Sequence, residues 1–174
     1  MEQNKLVKMG GRNRMFTLTA KNEEETKWIA AQLAQLLEPK DVILLEGDLG
    51  AGKTTFTKGL AKGLGIDTVI KSPTYTLIRE YTKGRLPLYH MDVYRLEDVG
   101  GDDMGLEEYL YGNGVSVIEW ATFIEEELPD AYLTIQLVPT GEFYENREVT
   151  FIPTGERYDA LVETLQGILK KEGQ

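Results

Sequence analysis

The strongest constraint on the fold of this chain is a glycine-rich segment at residues 47–54. It reads Gly47-Asp48-Leu49-Gly50-Ala51-Gly52-Lys53-Thr54, which is the pattern Gly-x-x-x-x-Gly-Lys-Thr. A branched apolar run, Val42–Leu45, comes before it and predicts a buried strand. Apolar residues follow it at helical spacing, at Phe56, Leu60 and Leu64. A strand, this pattern and then a helix form the context that identifies a phosphate-binding loop.

The residue types of this segment suit the binding of a nucleoside triphosphate. The small residues Gly47, Gly50 and Gly52 let backbone N–H groups approach phosphate oxygens, and the following helix adds its positive end. Lys53 supplies a full positive charge to the β- and γ-phosphates, and the Thr54 hydroxyl is placed to ligate Mg²⁺. The sequence therefore predicts nucleotide binding.

Length and composition fit a single cytoplasmic α/β domain. The chain has 174 residues, of which 41% are hydrophobic, and it has no cysteine. Its apolar runs have strand length, and Met1–Arg14 contains no apolar segment typical of a signal peptide. With 29 acidic and 19 basic residues the net charge is −10. A protein that binds nucleic acid directly usually has a basic face, so we expect any role on nucleic acid to act through a partner protein.

The hydrophobic pattern predicts one α/β domain at residues 14–174, preceded by a loose tail at residues 1–13. Before the loop, the pattern predicts a strand at Arg14–Ala20 and a helix that begins with a capping box of Asn22 and Glu25 and ends before Pro39. After the loop helix, it predicts a hairpin over 75–94, a short helix at Leu106–Tyr111, a strand at Val115–Trp120 and a helix at Thr122–Glu127. A hairpin of Ala131–Val138 and Glu148–Ile152 and a last helix over about 156–170 complete the predicted elements. This order predicts a three-layer domain of the P-loop NTPase type, with a central mixed β-sheet flanked by helices.

Two acids at predicted strand ends are candidate catalytic or metal-binding residues. Asp92 can polarise an attacking water or hold the metal shell, and a strand-terminal cap is the alternative. Glu119 ends the strand where a P-loop fold usually has the Asp that holds Mg²⁺; it can reach the metal or serve as a base, and a strand-end cap is the alternative. His90 shares a strand face with Asp92, but a lone histidine is more often structural than catalytic.

Three hydroxyl residues after the loop helix, Ser72, Thr74 and Thr76, are candidates for sensing the γ-phosphate. An ordinary loop explains them equally well. Residues 92–108 carry seven acids and one base, Arg95, and contain a predicted flexible loop, Gly100-Gly101-Asp102-Asp103. A solvated acidic surface is the simplest interpretation of this run, and a docking surface for a basic partner is the alternative.

Four segments together resemble the TsaE family, the small P-loop ATPases of bacterial tRNA threonylcarbamoyladenosine biosynthesis. They are the loop Gly47–Thr55, Ser72-Pro73-Thr74-Tyr75-Thr76-Leu77, His90-Met91-Asp92-Val93-Tyr94-Arg95 and Ile118-Glu119-Trp120. The loop alone is generic, whereas the combination, in this order and spacing, is specific. The resemblance covers about residues 14–170, nearly the whole domain by the usual size scale.

The resemblance implies an ATPase that is slow alone and acts in a complex with two partners, the transferase subunit (TsaD-like) and its non-catalytic paralogue (TsaB-like). That complex modifies the adenosine beside the tRNA anticodon, so tRNA is bound indirectly. The strand-length apolar runs predict that no segment spans a membrane. The implied cofactors are ATP and Mg²⁺. The implied phosphate-binding residues are Asp48, Leu49, Gly50, Ala51, Gly52, Lys53, Thr54 and Thr55, with Arg147 near the nucleotide. Thr54 and Glu119 are the implied metal ligands, and Asp92 and Lys53 the implied catalytic residues.

Two other functions are compatible with the loop. A stand-alone small-molecule kinase needs an acceptor pocket, usually under a lid that carries arginines, and the arginines of this chain are scattered. A nucleotide-gated switch is the other possibility. The guanine-reading sequence Asn-Lys-x-Asp does not occur, which disfavours a GTPase without establishing ATP.

Overall fold

The computed structural model describes residues 5–9, 13–74, 77–94 and 105–172, and side chains from Met15 onward. Predictions that concern Tyr75, Thr76, Arg95 and the Gly100–Asp103 loop therefore lie outside the described residues. In the described part of the chain, eight strands form one sheet in the order β1-β2-β8-β7-β3-β6-β5-β4. The strands are β1 (Lys5–Met9), β2 (Asn13–Ala20), β3 (Val42–Glu46), β4 (Ile78–Tyr81), β5 (Leu88–Asp92), β6 (Val115–Glu119), β7 (Tyr132–Thr140) and β8 (Asn146–Thr154).

The sheet is mixed, as predicted. Its centre is parallel, because β3 pairs in parallel with β6 and β7, and β6 pairs in parallel with β5. The remaining pairs are antiparallel, including the predicted hairpins β4–β5 and β7–β8. Parallel strands bring their carboxyl ends to one edge of the sheet, which is where ligands bind in folds of this type.

Helices cover both faces of the sheet and confirm the three-layer α/β fold. They are α1 (Glu23–Ala34), α2 (Lys53–Gly63), α3 (Leu106–Leu110) and α4 (Glu156–Glu172), with a 3₁₀ helix at Ala121–Glu127. Ile43 and Leu45 of β3 belong to the core that contains the buried side chains of α1, α2 and α4. Val42 and Leu44 point to the other face and share a core with α3 and the 3₁₀ helix. Burial on both faces explains the uninterrupted apolar run in β3.

Helices α1 and α2 pack in parallel at unusually short range. A Cβ atom on Gly59 would lie 2.4 Å from the Lys27 carbonyl oxygen, and one on Gly63 would lie 2.6 Å from Ala34 Cβ. The side-chain Nε2 of Gln35 also donates to the Gly63 carbonyl at 2.8 Å. Since any side chain would separate the two helices, the glycines of α2 allow this contact. The parallel packing places the N-termini of both helices at the same end of the domain.

The structure differs from the sequence-based expectations at three places. The predicted loose tail contains β1, a strand that the sequence pattern did not predict, and β1 pairs with β2 in register from Lys5 opposite Thr17 to Met9 opposite Asn13. The Glu25 side chain, expected to complete a capping box with Asn22, instead accepts from the Lys21 amide at 2.7 Å. The segment predicted as a helix at Thr122–Glu127 is a 3₁₀ helix that starts at Ala121. In the described residues, no helix is long and apolar enough to span a bilayer.

Candidate functional site

The glycine-rich loop connects β3 to α2 at the carboxyl edge of the parallel strands. Gly50 and Gly52 have φ angles of 82° and 105°, in the left-handed region that favours glycine. Gly52 precedes α2, and no side chain caps the first turn of this helix. Helix α1, by contrast, is capped by Asn22, whose Oδ1 accepts from the Glu25 amide at 2.9 Å. The first-turn amides of α2 are thus left for an anion, and the helix dipole favours negative charge there.

A cleft of about 740 Å³ opens over this loop. It is lined by most of the predicted site residues, namely Leu49, Gly50, Gly52, Lys53, Thr54, Thr55, Asp92, Glu119 and Arg147. The two other predicted phosphate-binding residues do not line it. Asp48 accepts from the Ala51 amide at 3.0 Å through its carbonyl, and Ala51 is buried. These two residues shape the turn of the loop.

Lys53 is the first residue of α2, and its ammonium group lies among three groups of the cleft. Its Nζ donates to the Gly47 carbonyl at 2.8 Å and lies 3.6 Å from Glu119 Oε1. The same atom lies 5.0 Å from the centre of the Trp120 ring, within cation–π range. Only 10% of the lysine side chain is exposed. The structure therefore fixes a positive charge at the floor of the cleft, beside the loop amides.

The two predicted carboxylates lie side by side. Asp92 and Glu119 end the neighbouring parallel strands β5 and β6 and are Cα partners in the register. Both are buried, with 5% of each residue exposed. Asp92 Oδ1 accepts from the Tyr94 amide at 3.1 Å, and Glu119 Oε2 lies 2.6 Å from His90 Nε2. Two acids and one lysine thus meet in the cleft, where low exposure strengthens their electrostatic interactions.

The hydroxyl-bearing loop borders the same cleft through Ser72 and Thr74. Their hydroxyl oxygens are 2.6 Å apart, and the Thr74 amide donates to Ser72 Oγ at 3.3 Å. Arg79 Nε donates to the Ser72 carbonyl at 3.2 Å, which ties this loop to β4. The third candidate, Thr76, lies outside the described residues.

Arg147, in β8, reaches the glycine-rich loop from the other side. Its Nε donates to the Ala51 carbonyl at 2.8 Å, and its NH2 group to the Gly50 carbonyl at 3.4 Å. Its NH1 group donates to the carbonyls of Tyr144 and Asn146, at 2.6 and 3.0 Å. The guanidinium group thus braces the backbone of the loop and also lines the cleft.

Three aromatic residues lie at the cleft; sequence reasoning left Trp120 open between a core residue and a cover for the site, and it assigned no role to Tyr94 or Tyr144. Tyr94 and Trp120 line it, with ring centres 5.1 Å apart, and Tyr144 lines it from the β7–β8 loop. Trp120 and Tyr144 have positive φ angles, of 63° and 57°, which is uncommon for bulky residues and often marks functional sites. One signal was present in the sequence, since Tyr94 shares a strand face with Asp92 and Trp120 directly follows Glu119.

The fold and the cleft define an α/β domain in which the glycine-rich loop, a lysine and two strand-end carboxylates meet at the carboxyl edge of a mixed sheet. The family model described as "Threonylcarbamoyl adenosine biosynthesis protein TsaE" matches residues 20–149. The chain belongs to the TsaE family.

Relatives and a solved structure agree with this assignment. The tRNA threonylcarbamoyladenosine biosynthesis protein TsaE of Bacillus subtilis is 56% identical over 144 residues, which are 83% of this chain and 89% of the relative. The protein of the same name from Treponema pallidum is 47% identical over 74% of this chain and 93% of its own length. The crystal structure of Bacillus subtilis YdiB matches 95% of this chain and 97% of that chain, with a TM-score of 0.76 and 45% identity.

Proposed function

We propose that the chain is a Mg²⁺-dependent ATPase subunit that acts in the threonylcarbamoyladenosine modification of tRNA beside the anticodon. The observation that carries this proposal is the placement of Lys53. Its ammonium lies at the uncapped start of α2, 2.8 Å from the Gly47 carbonyl and 3.6 Å from Glu119. This arrangement supports the binding of a polyphosphate, because a buried cation and free helix amides attract the same anion.

The residues of the cleft suit both cofactors. The left-handed Gly50 and Gly52 keep side chains away from the space over the loop, where a Cβ on Gly50 would meet no atom within 4 Å. Mg²⁺ is usually held by one or two protein ligands together with phosphate oxygens. Thr54 and Glu119, a hydroxyl and a carboxylate that both line the cleft, are the residues that would hold it. When bound there, the metal would neutralise charge on the phosphates.

Asp92 is the residue that we assign to hydrolysis. Its carboxylate is buried at the cleft, and the Tyr94 amide holds Oδ1 at 3.1 Å. The other oxygen, Oδ2, would accept a hydrogen bond from a water molecule and orient it toward the terminal phosphate. Positioning and electrostatic stabilisation supply most of the rate in phosphoryl transfer, so one fixed acceptor is sufficient for this role.

The arginines whose side chains the structure describes favour an ATPase over a small-molecule kinase. Arg85 donates to the Ala34 carbonyl at 2.6 Å, and Arg157 to Asp41 at 2.7 Å. Arg79 bonds the Ser72 carbonyl and Arg147 the glycine-rich loop. These side chains hold protein groups, whereas a kinase lid presents its arginines to the transferred phosphoryl group.

The partners that we propose are the TsaD-like transferase subunit and its TsaB-like paralogue. The relatives are named for threonylcarbamoyladenosine biosynthesis on tRNA, and the chain has a net charge of −10. Because an acidic protein attracts the tRNA backbone poorly, we expect the partners to hold the tRNA and this chain to act on the complex, in the cytoplasm.

The deciding experiment measures ATP hydrolysis with Mg²⁺ by the chain alone and with both partner proteins and tRNA. We expect slow turnover alone and faster turnover in the complex, with Lys53→Ala inactive in both conditions. If the turnover rate is unchanged by the partners but rises with a small-molecule phosphate acceptor, the chain is instead a kinase. GTP in place of ATP, in the same assay, tests the nucleotide.

A further inference from the structure

His90 is the only histidine of the chain, and its side chain is completely buried in the sheet. It lies in β5 opposite Val117 of β6, and the next pair on the same face is Asp92 opposite Glu119. The imidazole therefore lies on the same face of the sheet as the two carboxylates that line the cleft, two residues before Asp92 along β5.

Among the described residues, the imidazole makes one hydrogen bond. Its Nε2 atom lies 2.6 Å from Glu119 Oε2, and because an ionised carboxylate only accepts, Nε2 carries and donates the hydrogen. The other ring nitrogen, Nδ1, has no hydrogen-bond partner among the described residues. A buried polar atom without a partner destabilises a protein, and an apolar side chain would fill the space without that cost. Packing alone therefore does not account for an imidazole at this position.

We infer that His90 is a positioning residue that fixes the carboxylate of Glu119 toward the cleft. Its bond holds Oε2 in the interior, so that Oε1 lies on the side of Lys53, 3.6 Å from Nζ. The inference rests on the proposed function, in which Glu119 is a ligand of Mg²⁺ and Lys53 serves the phosphates. With Lys53 engaged by phosphate, His90 is the donor that keeps the carboxylate in place.

This arrangement follows a general property of metal sites. A carboxylate ligand is usually held by a further hydrogen-bond donor, and removal of that donor lowers metal affinity about 10- to 100-fold. Asp92 differs in this respect, because its Oδ1 is held by a backbone amide two residues away. Glu119 depends on another side chain, which can be replaced.

The test uses the variants His90→Leu and His90→Gln with a titration of Mg²⁺ at saturating ATP. For His90→Leu we expect the half-saturating Mg²⁺ concentration to rise about 10-fold or more, with unchanged nucleotide affinity in the presence of EDTA. His90→Gln should recover much of the loss, because its amide can donate to Glu119. A Mg²⁺ dependence that is unchanged in a folded His90→Leu protein would overturn the inference.

A double-mutant cycle separates positioning from a general structural effect. In the Glu119→Gln background, His90→Leu should cause no further change in the Mg²⁺ dependence, since the residue acts through the carboxylate. An equal loss in both backgrounds would show that His90 acts independently of Glu119.

The nucleotide-free protein provides a readout that does not need activity. Because the chain has one histidine, its imidazole N–H signals in a ¹H–¹⁵N NMR spectrum are unambiguous. We expect a slowly exchanging, downfield Nε2–H signal that moves upfield in Glu119→Gln. If this signal is present in a protein that binds no nucleotide, the proposed function fails while the His90–Glu119 pairing stands. If the signal is absent or insensitive to Glu119→Gln, the positioning role fails.

Discussion

Two buried charged clusters lie near opposite ends of the parallel strands, and they are built differently. At the start of β3, the carboxylate of Asp41 accepts from Arg157 at 2.7 Å, from the Tyr158 hydroxyl at 3.1 Å and from the Glu38 amide at 2.7 Å. The Tyr158 hydroxyl in turn accepts from the Val42 amide at 2.9 Å. Each of these side chains has its partners within the protein.

The second cluster, at the carboxyl edge, is incompletely paired. Lys53 has a carbonyl at hydrogen-bond distance and Glu119 only at 3.6 Å, and His90 Nδ1 has no partner among the described residues. Fully paired buried networks rigidify a fold, whereas incompletely paired ones need a functional explanation. The comparison indicates that the Asp41 cluster stabilises the domain and that the Lys53 cluster is arranged to bind a ligand.

The largest effect that tests this comparison is expected for Lys53→Ala. Among the described residues, Lys53 is the one cation at hydrogen-bond distance from the Gly47 carbonyl, and its loss should weaken ATP binding at least about 100-fold, or about 2.7 kcal/mol. The free energy of unfolding should change by much less than the free energy of ATP binding, since Glu119 keeps its hydrogen bond with His90. Calorimetric titration with ATP and urea unfolding measure the two quantities, and a large loss of stability with normal affinity would reverse the assignment.

Asp92→Ala should separate turnover from binding within the same cluster. We expect ATP hydrolysis to fall about 100-fold or more, because one positioned acid or base typically contributes 10²–10⁴ in rate, while ATP affinity stays close to that of the unchanged protein. Single-turnover hydrolysis and equilibrium binding check this. Loss of binding in this variant would mean that Asp92 holds the nucleotide or metal.

Asp41→Ala should have the opposite signature. The variant leaves the buried Tyr158 hydroxyl and the Glu38 amide without their acceptor, which should lower the free energy of unfolding by about 2 kcal/mol. Affinity for ATP should not change. The control is Asp130→Ala, a substitution at an exposed acid, and equal stability of the two variants would contradict the structural role of Asp41.

Gly59→Ala tests the helix contact that brings α1 to the cleft. The added Cβ would lie 2.4 Å from the Lys27 carbonyl oxygen, and we expect a loss of about 1.5 kcal/mol from overpacking. The matched control is Gly167→Ala in α4, where a Cβ meets no atom within 4 Å. That variant should gain about 0.5–1 kcal/mol from helix propensity. Urea unfolding of both variants should therefore give opposite signs.

The smallest effect concerns the pH dependence of the Asp41 cluster. Burial raises the pKa of the Tyr158 hydroxyl above its ordinary value of 10.0. The unfolded chain therefore ionises first, and the contribution of Tyr158 is complete below about pH 10 and declines above it, by up to ~1.4 kcal/mol per pH unit. Tyr158→Phe should cost about 1 kcal/mol at neutral pH and give a shallower alkaline decline. Parallel slopes for both proteins would contradict this.

Much of the fold and the cleft could be predicted because the signals are local. The apolar run of β3, the glycine pattern and the helical spacing after it lie within residues 42–64 and predict the strand–loop–helix unit directly. The hairpins were predictable from alternation and turn residues. β1 was missed because a five-residue edge strand, Lys5–Met9, has a weak pattern and depends on its pairing with β2.

The residues that surround the loop could not be predicted from local pattern. Arg147 lies 96 positions from Ala51, whose carbonyl it holds, and His90 lies 29 positions from Glu119. Neither contact follows from spacing, since each depends on which strands are neighbours in the sheet. Sequence reasoning favoured a structural role for His90 because a lone histidine is more often structural than catalytic. Its contact with Glu119 became visible only in the tertiary structure, in the register of β5 and β6.

The sequence by itself determined the class of the fold, the phosphate-binding pattern and the family, because these depend on residue types at short spacing and on motifs in a fixed order. The tertiary structure decided which charged groups meet and which of them remain incompletely paired. Asp41 and Glu119 are both acids at strand ends in the sequence, and only packing gives one a complete set of partners and the other a place in the cleft. The physical reason is that burial and pairing are properties of contacts between distant segments.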